Sequence, residues 1–191
     1  MLTTEWGEAL DREHPLPEYP RPQLRRESCL NLNGPWEYAI TRGSDEPEEY
    51  DGEIIVPFAP ESELSGVGRT LQPGEYLWYR RDLVLPEGFN VGRVLLHFGA
   101  VDQTAHVWVN GREACSHSGG FLGFSADITE LLYAEGEANE LVVCVTDDTD
   151  KGYHPAAAEL SRTASGIRRE PASGRRCGAR ACRRSTSARC I

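Results

Sequence analysis

The chain has 191 residues, with 20 lysines and arginines against 30 aspartates and glutamates, which gives a formal charge of −10. Residues 1–160 contain 11 basic and 29 acidic residues, whereas residues 161–191 contain nine arginines and one acid. A chain of this length forms most simply one domain with a tail, and it is too short for a complete (β/α)₈ barrel of roughly 200 to 250 residues.

Residues 1–30 are polar and contain four prolines, Pro15, Pro17, Pro20 and Pro22, which exclude a regular helix or a central strand. We therefore predict an extended lead-in that runs across a surface. From Trp36 onward, short β-type runs alternate with turn residues. The seven predicted strands are residues 36–40, 53–56, 77–85, 93–98, 104–109, 112–117 and 140–146.

Two of these runs alternate with a period of two, so one face of each strand points inward. The inward positions are Val94, Leu96 and Phe98 in one strand and Ala105, Val107 and Val109 in the next. Asn110-Gly111 separates two of the runs, and this pair favours the positive φ angles of a type I′ turn. The sequence therefore predicts a tight antiparallel hairpin at residues 110–111.

Helix signals are scarce along the chain. Asp127 and Glu130 have the spacing of a capping box, which predicts a short helix of about two turns. The strands lack helical crossovers, which argues against a parallel α/β sheet. Many short strands with glycine-rich turns predict an all-β antiparallel sandwich of the jelly-roll or immunoglobulin type.

Residues 161–191 differ in composition from the rest of the chain. Ile167 and Ile191 are their only large aliphatic residues, so the segment cannot bury enough apolar area to offset the entropy of ordering, and we expect disorder. An arginine-rich tail can bind nucleic acid through phosphate contacts. The lack of lysine and of aromatic residues favours a frameshifted or truncated end instead, so we expect no nucleic-acid partner.

The apolar pattern also bears on location. The longest apolar run, Leu141 to Val145, has five residues, far below the roughly 18 to 20 that cross a bilayer. The first ten residues lack the basic start and apolar stretch of a secretory signal. We therefore expect a cytoplasmic protein without a membrane partner, in which Cys29, Cys115 and Cys144 are buried reduced thiols.

Sites for metals, cofactors and catalysis are poorly supported. Gly66-Val67-Gly68 lacks the third glycine and the helix of a dinucleotide loop. Asp148-Thr149-Asp150 resembles the start of a calcium loop, but Tyr153 occupies the required glycine position. The acidic clusters at residues 61–63 and 147–150 read as solvated turns, because paired catalytic carboxylates need separate rigid elements. We expect no metal, no cofactor and no catalytic residue.

Several stretches occur together in one order and spacing. They are Pro20-Arg21-Pro22-Gln23-Leu24-Arg25, Leu32-Asn33-Gly34-Pro35-Trp36, Val56-Pro57-Phe58, Leu77-Trp78-Tyr79-Arg80-Arg81, Leu96-His97-Phe98-Gly99-Ala100-Val101-Asp102, Val107-Trp108-Val109-Asn110-Gly111, His117-Ser118-Gly119-Gly120-Phe121, Asp127-Ile128-Thr129 and Asn139-Glu140-Leu141 before Asp147-Asp148. Over residues 20–154 the chain resembles the N-terminal sugar-binding domain of family 2 glycoside hydrolases. This group contains β-galactosidases, β-glucuronidases and β-mannosidases.

The resemblance implies an all-β jelly-roll sandwich at residues 31–154, preceded by the lead-in at 1–30 and followed by a tail at 155–191. In the family, an immunoglobulin-like domain and a barrel with the two catalytic glutamates follow, and neither fits in this chain. The resemblance therefore implies that the chain is an inactive N-terminal fragment of a β-glycosidase, and that the complete parent enzyme binds carbohydrate. A stand-alone carbohydrate-binding module and a nucleic-acid binder acting through the tail are the alternatives.

Four residues are the candidate substrate contacts: Asp147, Asp148, Trp78 and Trp108. Trp78, Tyr79, Trp108 and Phe121 could stack on a sugar, although an aromatic residue on a strand more often belongs to the core.

The chain departs from the family pattern near Pro155, where Ser165-Gly166-Ile167 is followed by arginines instead of tryptophan. A missing last strand would leave a sheet edge unpaired.

Overall fold

The structure, a computed structural model, describes residues 4–17, 29–89, 92–147 and the backbone of residues 180–183. In this part of the chain, two 3₁₀ turns, Glu63–Ser65 and Thr129–Leu131, lie in loops. The helix and the strands are α1 (Glu5–Glu8), β1 (Cys29–Asn31), β2 (Gly34–Thr41), β3 (Gly52–Val56), β4 (Tyr76–Val84), β5 (Val94–Phe98), β6 (Thr104–Val109), β7 (Arg112–Ser118), β8 (Phe124–Asp127), β9 (Ala138–Thr146) and β10 (Arg180–Arg183).

Two antiparallel sheets form the body of the domain. The larger sheet has the strand order β3-β2-β4-β9-β6-β7, and the smaller has the order β1-β10-β5-β8. Buried side chains from both sheets form one shared apolar core. The seven predicted strands correspond to β2 to β7 and β9, and the predicted all-β antiparallel jelly-roll sandwich is confirmed.

The core follows the alternation of the strands. Val94 and Leu96 of β5 are fully buried, and so are Ala105, Val107 and Val109 of β6. Intervening residues on both strands are more exposed, because successive side chains point to opposite faces of a sheet. The inward positions predicted for these two strands are confirmed.

Strand β9 is an exception to this alternation. Five consecutive residues, from Leu141 to Val145, are buried, because both faces of the strand are covered. Leu141, Val143 and Val145 face the shared core. Val142 and Cys144 face outward, into a second apolar cluster that also contains Ala39 and Trp78.

The hairpin between β6 and β7 turns at Asn110 and Gly111, whose φ angles are 52° and 72°. Both angles have the sign that a type I′ turn requires, so the predicted hairpin is confirmed. The Asn110 amide nitrogen donates to Asn139 Oδ1 at 2.9 Å, and Asn110 Oδ1 accepts from the Glu140 backbone nitrogen. Side-chain hydrogen bonds therefore tie the hairpin tip to β9.

Asn139 is the centre of this network and is 2% exposed. Its Oδ1 also accepts from the Tyr133 backbone nitrogen at 2.7 Å. Its amide nitrogen donates to the carbonyl oxygens of Leu83 and Glu137. Hydrogen bonds thus satisfy both ends of this buried amide, which fixes the start of β9 against the end of β4.

The helix predicted at Asp127 is wrong in length and in its cap. Asp127 ends β8, and a single 3₁₀ turn follows it, with Ile128 at the N-cap position and no side-chain capping bond. The Asp127 carboxylate accepts hydrogen bonds from the backbone nitrogen and the hydroxyl of Thr129, which close a local turn. The chain has little room for a second turn, because Tyr133 is already bonded to Asn139 near the start of β9.

In the C-terminal tail, the structure describes the backbone of residues 180–183. Their backbone forms β10, which pairs antiparallel with β1 and with β5. Backbone hydrogen bonds to two flanking strands need no particular side chains, so tail composition did not indicate this strand. Residues 148–179 and 184–191, which hold the rest of the predicted tail, lie outside the described residues.

Of the predicted lead-in, residues 4–17 and 29–30 are described, and residues 29–30 begin β1. The exclusion of a regular helix does not hold at Glu5–Glu8, which form the short helix α1 before the first proline. Farther along, the Asn33 side chain donates to the Pro15 carbonyl oxygen at 3.1 Å. A Cβ atom on Gly34 would lie 2.7 Å from the Glu13 carbonyl oxygen, so the lead-in lies directly against the start of β2.

We expect Asn139→Ala to lower the free energy of unfolding by about 2 to 3 kcal/mol, because it leaves buried donors and acceptors without partners. Urea denaturation followed by tryptophan fluorescence measures the change. Gln72→Ala is the control, since the exposed Gln72 side chain donates one hydrogen bond to Thr70, and it should stay within about 0.5 kcal/mol. Equal effects of the two substitutions would contradict a structural role for the Asn139 network.

Candidate functional site

One end of the sandwich gathers the loops that follow β5, β7 and β9. The Gly119 backbone nitrogen donates to the Gln103 carbonyl oxygen at 2.8 Å, and the Gln103 nitrogen donates to the Thr146 carbonyl oxygen at 3.3 Å. These bonds align three loops side by side. We call this end the rim and define it as residues 101–103, 119–123 and 147.

Asp147 is the one predicted substrate contact that lies in the rim. It directly follows β9 and is 7% exposed. A carboxylate accepts hydrogen bonds, so at the mouth of a sugar site it would bind hydroxyl groups. Its neighbour Asp148 lies outside the described residues, and a sugar contact by either residue stays a prediction.

Asp102 lies against the glycine pair of the facing loop. A Cβ atom on Gly120 would be 2.1 Å from Asp102 Oδ1, so only glycine fits there without movement of the Asp102 side chain. Gly119 has a φ of +125°, a value that side chains rarely allow. The two glycines therefore bring the backbone of this loop against the Asp102 side chain.

Phe121 and Leu122 follow these glycines at the tip of the loop. They are 75% and 74% exposed, although both are large and apolar. Phe121 is therefore not a core residue, unlike most aromatic residues on strands, because Phe121 lies in the loop between β7 and β8. The loop thus offers an apolar surface beside the acidic side chains of the rim.

Trp78 and Trp108 lie on the outer face of the larger sheet. Their rings stack with centroids 5.8 Å apart and an interplanar angle of 24°, across the intervening strand β9. Trp78 is 2% exposed, and its indole nitrogen donates to Thr41 Oγ1 at 3.1 Å. Trp108 is half-buried and also stacks on His106. The structure therefore brings the two predicted tryptophans together, with Trp108 the more accessible.

Tyr50 and Arg80 complete this outer aromatic layer. The Arg80 guanidinium lies 4.1 Å from the centroid of the Tyr50 ring and pairs with the Glu37 carboxylate at 2.7 Å. Burial raises the pKa of Tyr50 well above its ordinary value, and the nearby Glu46 carboxylate adds a smaller effect in the same direction. The phenol therefore stays neutral, and the layer covers the outer face of β9 with apolar and paired groups.

The aromatic layer and the rim are neighbouring but separate. Trp78 lies opposite Cys144 in the sheet, whereas Asp147 follows three residues later, roughly 10 Å along the strand direction. Burial raises the pKa of the Cys144 thiol to about 12, in keeping with its position under the layer. The described candidates therefore form a tryptophan pair on a sheet face and a carboxylate at the sheet end.

A cleft at the other end of the sandwich escaped the sequence reasoning. It has a volume of about 390 Å³ and is lined by Arg93, Glu113, Ala114, Asp127, Thr129, Glu130 and Leu131. Arg93 forms an ion pair with Asp127. Burial alone would raise the pKa of Asp127, but hydrogen bonds from Thr129 and Arg93 hold it below its ordinary value. The cleft joins residues from β7, β8, the following 3₁₀ turn and the position before β5, a proximity that no local motif indicates.

Within residues 4–17, 29–89 and 92–147, no three His, Cys, Asp or Glu side chains are grouped so that they could hold a metal ion. In the same part of the chain, helices are too short and too polar to span a bilayer.

The chain is similar in sequence to proteins of a known family. A family model described as the sugar binding domain of glycosyl hydrolases family 2 matches residues 68–170. The chain is 28% identical over 136 residues to a β-glucuronidase of Paenibacillus borealis, a match that covers 68% of this chain and 22% of that protein. It is 32% identical over 143 residues to the β-glucuronidase of Homo sapiens, a match that covers 66% and 22%.

Among solved structures, a β-glucuronidase of Faecalibacterium prausnitzii superimposes with a TM-score of 0.58 at 26% identity. The superposition covers 86% of this chain and 32% of that one. The chain spans about a fifth of the length of the curated relatives it matches. The family match covers more than half of the chain and contains all the strands from β4 to β9.

We expect Trp78→Phe to lower the free energy of unfolding by about 1 to 3 kcal/mol, because it removes the hydrogen bond to Thr41 and reduces the stack on Trp108. Thermal and urea unfolding give the change. Trp6→Phe is the matched control, since Trp6 is 74% exposed. If both variants were as stable as the parent, Trp78 would not support the outer layer.

We expect Gly123→Ala to destabilise the protein by about 1 to 3 kcal/mol, because the new Cβ would overlap neighbouring backbone. That atom would lie 2.8 Å from the Phe98 carbonyl oxygen and 3.0 Å from that of Gly99. Gly43→Ala is the control, since a Cβ there meets nothing within 4 Å. A Gly123→Ala protein as stable as the Gly43→Ala protein in urea would show that the loop is not held at its base.

Proposed function

Because the chain belongs to the sugar-binding domain family of the family 2 glycosyl hydrolases, we propose that it acts as a non-catalytic N-terminal domain of a β-glycosidase of the β-glucuronidase kind. Hydrolysis of the glycosidic bond would be carried out by a separate catalytic unit. The domain would support that unit and shape the entrance for the sugar. This chain alone would not cleave a glycoside.

The observation that carries this proposal is the match of the family model to residues 68–170. The matched segment includes the rim and the two tryptophans of the outer aromatic layer, and thus the predicted contacts Asp147, Trp78 and Trp108. Both relatives described above are called β-glucuronidases, which supports the choice among the activities of the family. A uronide is therefore the proposed sugar class.

The proposed division of work also fits the chemistry of the described residues. Retaining glycosidases hold two carboxyl groups about 5 Å apart on rigid elements, one as acid and base and the other as nucleophile. In this chain, the buried Asp147 at the end of β9 is assigned to binding hydroxyl groups of the sugar. Asp148 is assigned the same role from its position in the sequence, and the catalytic pair is assigned to the separate unit.

A reconstitution experiment tests this function. The segment that matches this chain is deleted from the Paenibacillus borealis β-glucuronidase, and the purified full 191-residue chain is added at increasing concentration. We expect saturable recovery of 4-nitrophenyl β-D-glucuronide hydrolysis, because the added domain replaces the missing support. The chain alone is the control and should release no nitrophenol. Hydrolysis by the chain alone, or no recovery at saturation, would contradict the proposal.

A second function is favoured by the exposed Phe121, which follows Gly120 in the loop that lies against the Asp102 side chain. As a stand-alone carbohydrate-binding module, the chain would bind sugar without any partner. Calorimetry with methyl β-D-glucuronide, β-D-galactoside and β-D-mannoside measures such binding, and Asp147→Asn is the variant that should weaken it. If binding is absent in the chain alone but appears in the reconstituted enzyme, the domain function stands and the module function is rejected.

A further inference from the structure

Strand β10, from the C-terminal tail, completes the smaller sheet. It lies between β1 and β5, and it pairs antiparallel with both. Strand β1 lies at the edge of this sheet, so among the described strands β10 is the one that connects β1 to β5. The smaller sheet is therefore complete only while β10 stays in this place.

The register of β1 and β10 places Cys182 directly opposite Cys29. Directly opposite residues of an antiparallel pair have Cα atoms about 4.5 or 5.5 Å apart, depending on the hydrogen-bonding pattern. A disulfide needs a Cα separation between about 4.4 and 6.8 Å. Either pattern therefore brings these two positions within the range of a disulfide bond.

The two cysteine positions lie on the outer face of the smaller sheet. Leu30 of β1 packs against the core, and Leu96 of β5 is fully buried. Cys29 precedes Leu30, and Cys182 pairs with Leu95, so both cysteines alternate with the inward positions. Cys29 is half-buried. The pair therefore lies on the face away from the core, where Cys29 is partly exposed to solvent.

Cys115 and Cys144, the other cysteines of the described residues, face different residue types across the larger sheet. Cys115 lies opposite Val107, and Cys144 lies between Trp78 and His106. Burial raises the pKa of both thiols, to about 12 for Cys144, which lowers the fraction of the thiolate that disulfide exchange requires. The sheets thus single out one cysteine pair.

We propose that Cys29 and Cys182 form a reversible cross-strand disulfide, a clasp that holds β10 in its place between β1 and β5. The cross-link closes a loop that contains most of the chain, and long loops gain the most from such a constraint in the chain-entropy description. The clasp makes closure of the smaller sheet sensitive to the redox state of the surroundings. It is independent of the proposed glycosidase function, because it follows from the register of one strand pair.

A low-molecular-weight disulfide such as oxidised glutathione is the oxidant. The Cys29 thiolate attacks one of its sulfurs, a mixed disulfide forms, and one glutathione leaves as its thiolate. The Cys182 thiolate then attacks the Cys29 sulfur, which forms the protein disulfide and releases the second glutathione. Two protein thiols are oxidised, one glutathione disulfide is reduced, and both protons end on the released glutathione thiols. Excess thiol reverses both steps.

Peptide mapping of the full 191-residue chain tests the clasp. The folded, reduced chain is incubated with oxidised glutathione, the remaining thiols are alkylated, and tryptic peptides of the monomer fraction are identified by mass spectrometry without reduction. We expect the Cys29–Cys182 link to exceed links of Cys29 to Cys177 or Cys190 at least about tenfold, because the register raises the effective concentration of one pair. Cys177 and Cys190 are matched competitors, since they belong to the same tail. The preference should disappear when the chain is oxidised in urea.

Unfolding measurements test the consequence for the fold. Oxidation should raise the urea midpoint of the parent chain, and dithiothreitol should reverse the rise, because the bond constrains the unfolded chain. Cys190→Ser is the matched control and should respond as the parent does, whereas the midpoint of Cys182→Ser should not respond. Each oxidised protein is compared with its own reduced form, which separates the bond from any effect of the substitution on folding.

Several results would overturn the clasp. Cys29 would then link equally to Cys177, Cys182 and Cys190, or it would carry only glutathione. A preference for Cys182 that persists in urea would also contradict the clasp, since it would not come from the fold, and so would an equal rise of the midpoint in Cys182→Ser. Recovery of hydrolysis by the domain-deleted β-glucuronidase depends on none of these results, so the clasp and the proposed function fail separately.

Discussion

The burial of β9 on both faces is the constraint on which the rest of the domain depends. The strand lies in the middle of the larger sheet, between β4 and β6, and one face contributes to the shared core. Its other face would meet water in a simple two-layered sandwich. Instead, the aromatic layer containing Trp78, Trp108 and Tyr50 covers Val142 and Cys144. The outer layer is therefore part of the fold first and a candidate binding surface second.

Much of the fold could be predicted because its strands bury alternate residues. Val94, Leu96 and Phe98 mark β5 by sequence spacing alone, and Asn110-Gly111 marks a turn through its backbone preference. The short strands β1, β8 and β10 carry no such pattern, since pairing with β5 or with each other defines them. Asp127 has a helix-capping pattern, yet the early start of β9 leaves space for one turn only.

The candidate site was less predictable, because its geometry comes from residues distant in sequence. Trp78 and Trp108 could be chosen as candidates because both are aromatic. The sequence did not indicate that Trp78 is buried under Trp108, which lies two strands away in the sheet. Asp147 lies at the end of the sheet because it directly follows the last residue of β9. The exposure of Phe121 depends on the fit of Gly120 against Asp102, a close approach that the glycine pair permits but does not specify.

The strand order of the larger sheet has a consequence for how the chain assembles. Strand β2 pairs with β3 and with β4, and β6 and β7 form a hairpin, so each group can form from contacts that are local along the chain. β9 is synthesised after both groups and enters between β4 and β6. A nascent chain that has emerged up to β7 therefore still lacks the strand that lies between β4 and β6. The larger sheet can close only after β9 has emerged.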